Sequence, residues 1–127
     1  MTDEITLTIP RDSDFHGVAH LVLGGLAVRM DLTVENLEDL QIALDSLLGL
    51  SELEPGEITV RMALRHGALE AYVGPLPASV LDEIERDQDD ALSLRRVLDS
   101  TVDDVHVDGD TVRLTKKVSP GIGGGNG

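Results

Sequence analysis

The sequence predicts a two-layer α/β sandwich: a mixed, mostly antiparallel sheet of about five strands with helices stacked on one face. Three observations predict it. Short runs such as ITLTI at 5–9 and LEAYV at 69–73 alternate apolar and polar residues, so each strand hides only one side. Two amphipathic stretches between Phe15 and Leu50 supply a cover for that side. The order of the runs, β-α-α-β-β-α-α-β-β, interleaves hairpins with helix pairs, which is the pattern of helices segregated to one face of a sheet.

In chain order, Ile5, Leu7 and Ile9 point one way and Thr6 and Thr8 the other, giving a half-buried strand that Pro10 ends. Asp12, Ser13 and Asp14 offer N-caps for the first helix. Phe15, Val18, Ala19, Val22, Leu26 and Met30 recur at helical steps, and Leu23 and Ala27 widen the stripe. Gly24 and Gly25 lie inside it, each at a cost of about 1 kcal/mol relative to Ala. Such a pair marks a close approach by another element or a kink. Asp31-Leu32 turns the corner and Thr33 caps the second helix. Its buried face is Leu37, Leu40, Ala43, Leu44, Leu47 and Leu48, and Gly49 is expected to end it.

After a loop containing Pro55-Gly56, Ile58, Val60, Met62 and Leu64 alternate with polar and small residues up to a hairpin tip at His66-Gly67. Leu69, Ala71 and Val73 form the return strand, which Gly74-Pro75 stops. Pro77 starts a short helix with Val80, Leu81 and Ile84 inward. The acidic run Asp82 to Asp90 reads as a solvated surface. Ala91, Leu94 and Leu98 mark a last helical face. Val105 and Val107 lead to a hairpin at Asp108-Gly109-Asp110, and Val112 and Leu114 close the sheet.

The 127 residues fit one domain, expected over 1–118, followed by a flexible glycine-rich tail over 119–127. There is no Cys, so disulfides and thiolate metal sites are excluded. No apolar run approaches the ~20 residues of a membrane span, and the acidic start MTDEITLTIP lacks the basic flank of a secretory signal; a cytoplasmic protein is expected. A formal charge of -14, from 24 acids against 10 Lys and Arg, argues against nucleic acid and is compatible with a basic protein partner or with solubility alone. With one Phe, one Tyr and no Trp, the core must be aliphatic.

Few residues carry obvious chemistry. His16 and His20 share a helix face at a step that binds zinc in other proteins, with Asp12 nearby, but no motif completes a metal site. Ser79, Ser93 and Ser100 have no His-Asp framework around them. The tail GIGGGNG has the composition of a phosphate loop without its lysine or its strand-loop-helix context.

The stretches VAHLVLGGLAVRM and LTVENLEDLQIAL, and later LDSTVDDVHV running into TVRLTKKV, resemble the anti-sigma factor serine kinases. These are small regulators on the Bergerat ATP-binding fold shared with histidine kinases. The similarity spans Glu4 to Lys117 and implies that fold. It also implies four features of a nucleotide site, none of which is met. The family's second helix carries a Glu that polarises the nucleophile or water and, four residues on, an Asn that binds the metal. The register set by IAL places Ser46 and Leu50 there. Asp45 is adjacent, but about 100° around the helix. A Leu offers Mg²⁺ no oxygen. The family's adenine-reading Asp-x-Gly loop corresponds to Tyr72-Val73-Gly74-Pro75-Leu76-Pro77, with no Asp in register. Its glycine-rich lid corresponds to Asp89-Asp90-Ala91-Leu92-Ser93-Leu94, with no Gly and two carboxylates that repel a triphosphate. No lysine or arginine precedes Arg95-Arg96 in that lid, and this pair reads as a solvated helix face.

The resemblance therefore implies a non-catalytic member, with the ATP and Mg²⁺ of the family lost. It implies a sigma factor or a STAS-type antagonist as partner, and a homodimer. His20 falls where relatives place an Arg that contacts both partners; with His16, Leu23 and Arg29 it makes up the candidate partner-binding set. The alternatives are an ATP-dependent serine/threonine kinase with a remodelled nucleotide site, and an accessory domain whose dimer is its whole role.

Overall fold

A computed structural model describes residues 4–86 and 93–118. Each alternating run becomes a strand: β1 (Glu4–Pro10), β2 (Glu57–Arg65), β3 (Ala68–Gly74), β4 (Asp104–Asp108) and β5 (Thr111–Lys117). They form one sheet in the order β1-β2-β3-β5-β4, with every pairing antiparallel. No parallel pair occurs among the described residues, so the sheet is not mixed as expected. The reason lies in the connection from β1 to β2. Two helices in succession return the chain to the end of the sheet it left, and the next strand runs back alongside.

The helices are α1 (His16–Met30), α2 (Val34–Ser51), α3 (Ala78–Glu85) and α4 (Leu94–Thr101). The carboxylate of Asp12 accepts the amide of Asp14 at 2.9 Å, but it caps a 3-10 turn at Ser13–Phe15, and α1 proper starts at His16 without a side-chain cap. Asp31, with φ 59°, ends α1, and the hydroxyl of Thr33 accepts the Asn36 amide at 3.0 Å to start α2. Gly49 does not end α2. Leu50 packs on the core and Ser51 is fully buried, its hydroxyl donating to the Leu48 carbonyl at 2.7 Å. That burial outweighs the modest helix cost of one glycine.

The aliphatic core lies between the layers. Ile9, Val60, Met62, Leu69, Val73, Val112 and Leu114 cover the inner side of the sheet, and Leu26, Leu44, Leu47, Leu48, Ile84 and Leu98 descend on it. The other side is polar. Thr8 and Thr59 share a hydroxyl contact at 2.8 Å, and the Arg61 guanidinium stacks 4.1 Å over the Tyr72 ring.

Three contacts tie loops and layers. Arg11, with only 6% of its side chain exposed, donates to the carbonyls of Glu57 at 3.0 Å and Pro75 at 2.5 Å. Lys116 reaches from β5 to Asp39 on α2 and to the carbonyl of Thr101 at the end of α4, both at 2.9 Å. Gly74 lets the end of β3 approach β5; a Cβ there would lie 2.6 Å from the Thr111 hydroxyl and 3.0 Å from the Asp110 carbonyl. Ala91, the acidic residues 87–90, the lid residues 89–92 and the tail 119–127 lie outside the described residues.

Candidate functional site

Sequence periodicity sets which side of α1 is buried, and here it does so ambiguously, because the helix is apolar nearly all round. The structure buries Ala19, Leu23, Leu26 and Ala27. Val22 and Met30 are half-buried, while Phe15 and Val18 are exposed rather than inside the stripe. The inward face is therefore rotated from the one expected, and a second apolar face looks outward. Leu21 is 78% exposed and Val28 85%. A helix apolar on all sides is normally covered on all sides.

Glycine adds to this. Gly17, Gly24 and Gly25 all lie in α1, and a Cβ at any of them would meet nothing within 4 Å. Among the described residues no atom of another element lies within 4 Å of a Cβ at Gly24 or Gly25, so close packing inside the domain does not explain the pair. Each glycine still carries its helix cost of about 1 kcal/mol.

The two histidines turn toward α2. His20 Nε2 lies 2.5 Å from Asp45 Oδ1, and His16 Nε2 lies 3.5 Å from Glu52 Oε2. The other Glu52 oxygen accepts the Ser13 amide at 3.2 Å. The pair thus forms two separate rungs between antiparallel helices, each on its own carboxylate. Among the described residues no group of three His, Asp or Glu side chains could hold a metal.

Of the four residues singled out for partner contact, His16 and His20 are half-buried on the side of α1 next to α2, and Arg29 is exposed in its last turn. Leu23 is 1% exposed and belongs to the core, so it presents no surface. The exposed apolar residues Leu21, Val28, Val34 and Ile42 lie outside that set. Their signal was present, in that α1 has more apolar residues than one stripe needs.

The positions matched to the nucleotide site are also placed. Ser46 Oγ donates back to the Ile42 carbonyl at 2.8 Å, and Leu50, one turn on, packs on the core. After β3, Leu76 and Pro77 are buried, and the Leu76 amide donates to the Asp110 carbonyl at 2.8 Å. α4 packs against α2. Arg95 is held by Asp99 at 3.0 Å and by the Ile84 carbonyl at 2.9 Å, while Arg96 is exposed.

No protein-family model matches the chain. Serine-protein kinase RsbW of Bacillus velezensis is 31% identical over 77 residues, covering 56% of this chain and 48% of that protein. Serine-protein kinase RsbW of Listeria monocytogenes is 34% identical over 79 residues, covering 58% and 50%. The chain is similar to the RsbW serine-protein kinases. It spans about half the length of these curated relatives. The RsbW-like fold extends further than the sequence match. A crystal structure of the RsbU and RsbW domains of Rv1364c from Mycobacterium tuberculosis superposes with a TM-score of 0.65 over 91% of this chain and 32% of that one, at 15% identity. No helix among the described residues is long and apolar enough to cross a membrane.

Proposed function

We propose that this chain is a non-catalytic, RsbW-like regulator of transcription that works by holding a protein partner, a sigma factor or a STAS-type anti-anti-sigma factor. The observation that carries the reading is the outward face of α1. Leu21 and Val28 lie almost fully in solvent beside glycines whose Cβ positions are open, which is what a surface awaiting another backbone looks like. His16, His20 and Arg29 edge that face, and Leu23 supports it from beneath. The reading includes a homodimer, which would form through surface apart from the groove that this face shares with α2. We assign the activity to one domain over residues 1–118, with 119–127 outside it.

Two features support the non-catalytic half. Leu50 brings no oxygen to the position where the family holds its metal, and the Ser46 hydroxyl is spent on its own helix. The loop after β3 offers Pro75, Leu76 and Pro77 in place of a carboxylate for adenine. A second reading has one observation in its favour: the curated relatives are named as serine-protein kinases. It makes this chain an ATP-dependent kinase with a remodelled site.

Calorimetry with ATP and Mg²⁺ separates the two. Absence of saturable binding is the expected result. Saturable micromolar binding overturns the first reading and favours the second. The protein-binding half is checked by co-purification from the native host. Capture of a sigma factor or STAS-type protein should be lost in the Leu21→Asp variant, and capture that ignores this substitution sinks the assignment of α1.

A further inference from the structure

We infer that the groove between α1 and α2 receives a partner helix whose apolar face is flanked by lysine or arginine. This rests on the protein-binding reading above and adds the chemistry of the partner.

The groove has the shape for a helix. Gly17, Leu21, Gly24 and Val28 recur at steps of four, three and four, so they share one face of α1. Two hollows lie between α1 and α2, and of these four residues Gly24 and Val28 line the first. One, of about 320 Å³, is lined by Gly24, Val28 and Val34 at the corner between the helices. The other, of about 460 Å³, is lined by His20, Glu38, Ile42 and Asp45 farther along. Val34 is 71% exposed and Ile42 is exposed as well, so both walls offer apolar anchors. Glycine on one wall lets an incoming backbone come close, and anchors at helical spacing suit an amphipathic helix laid along the seam.

The charge of the walls decides the partner's flanks. α2 carries four carboxylates, Glu35, Glu38, Asp39 and Asp45, and no Lys or Arg. Asp39 is taken by Lys116 and Asp45 by His20. Glu35 and Glu38 join no salt bridge among the described residues, and Glu38 lines the larger hollow. At the corner Asp31 adds a carboxylate, and Arg29 in the last turn of α1 is the one cation beside it among the described residues and already has an interaction of its own. Basic side chains flanking the partner's apolar stripe would meet these groups, with their methylene stems lying over Ile42. A second copy of this chain in the same groove would set carboxylates against carboxylates. An anionic lipid surface would be repelled for the same reason.

The test uses two synthetic helical peptides of about 18 residues with identical leucine stripes, one flanked by lysine and one by glutamate. Binding to the full chain is followed by fluorescence anisotropy. The lysine peptide is expected to saturate, and the glutamate peptide to bind about tenfold more weakly or worse. Raising NaCl from about 50 mM to about 300 mM should weaken the lysine peptide several-fold. Val28→Asp should weaken it about tenfold or more, and the double variant Glu35→Lys, Glu38→Lys should reverse the peptide preference. Circular dichroism confirms that these surface variants fold. Equal binding of both peptides overturns the inference while leaving α1 a protein-binding face. Lysine-peptide binding that ignores Val28→Asp is attraction to net charge and overturns it too. Binding of neither peptide removes the inference, whereas loss of partner capture in Leu21→Asp still decides the parent reading on its own.

Discussion

Nε2 of His20 lies 2.5 Å from Oδ1 of Asp45, across the seam between α1 and α2. The side chain at the position where the resemblance puts a partner-contacting arginine is thus held by the neighbouring helix. Both groups are partly exposed, so the contact is worth little on its own. His20→Ala and Asp45→Ala should each cost about 0.5–1 kcal/mol in urea unfolding, and the double variant little more than either single. Strict additivity would show that the two side chains do not meet in solution.

Leu21 and Leu23 sit two residues apart with opposite fates, at 78% and 1% exposure. Leu23→Ala should cost about 2–5 kcal/mol, as a cavity in a packed core does. Leu21→Ala should stay within about 0.5 kcal/mol. Denaturation midpoints check both, and a reversed order would mean that α1 is rotated from the face described.

Replacing Gly24 or Gly25 by Ala should stabilise the isolated chain by about 0.5–1 kcal/mol each, because helical backbone is already in place and the Cβ has room. If a partner helix crosses there, the same changes should weaken its binding. Stability and binding would then move in opposite directions, which calorimetric unfolding and a binding titration read separately.

Arg11 joins the start of β2 to the loop after β3 through two carbonyl oxygens. Arg11→Ala should cost about 1–2 kcal/mol, since it removes two hydrogen bonds from a charged donor and the packing of a largely covered side chain. Arg11→Lys should recover only part of this, because a single ammonium lacks the planar fork that spans both oxygens.

Gly74→Ala should be destabilising by about 1–3 kcal/mol. The new methyl would press on the Thr111 hydroxyl and on the Asp110 backbone, and the backbone has no rotamer to give. Thermal unfolding of the variant should show a lower midpoint; an unchanged midpoint would mean that β3 and β5 are less tightly apposed at this end.

Much of the fold was legible. Strand alternation fixed the inner residues Val60, Met62, Leu69 and Val73, and the turns at His66-Gly67 and Gly109-Asp110 sit where their sequences place them, with φ of 53°, 74° and 64° at His66, Gly67 and Gly109. Both turns need left-handed backbone, and Gly supplies it cheaply. What could not be read was the rotation of α1. Periodicity works by contrast between apolar and polar faces, and a helix reading HGVAHLVLGGLAVRM has little contrast. The contacts of His16 and His20 were hidden for another reason. Glu52 and Asp45 lie far along the chain, and only the helix crossing brings them near. Gly49 misled because burial of Leu50 and Ser51 overrides a local stop signal.

The ammonium of Lys116 touches Asp39 and the last carbonyl of α4 at once. Three segments distant in sequence therefore hang on one cation. Fraying at the end of α4 removes one of the two partners that hold this ammonium against the first half of α2. Amide hydrogens of these stretches should accordingly exchange with deuterium as a single cooperative unit, and neutralising that one lysine should split it into independently opening parts.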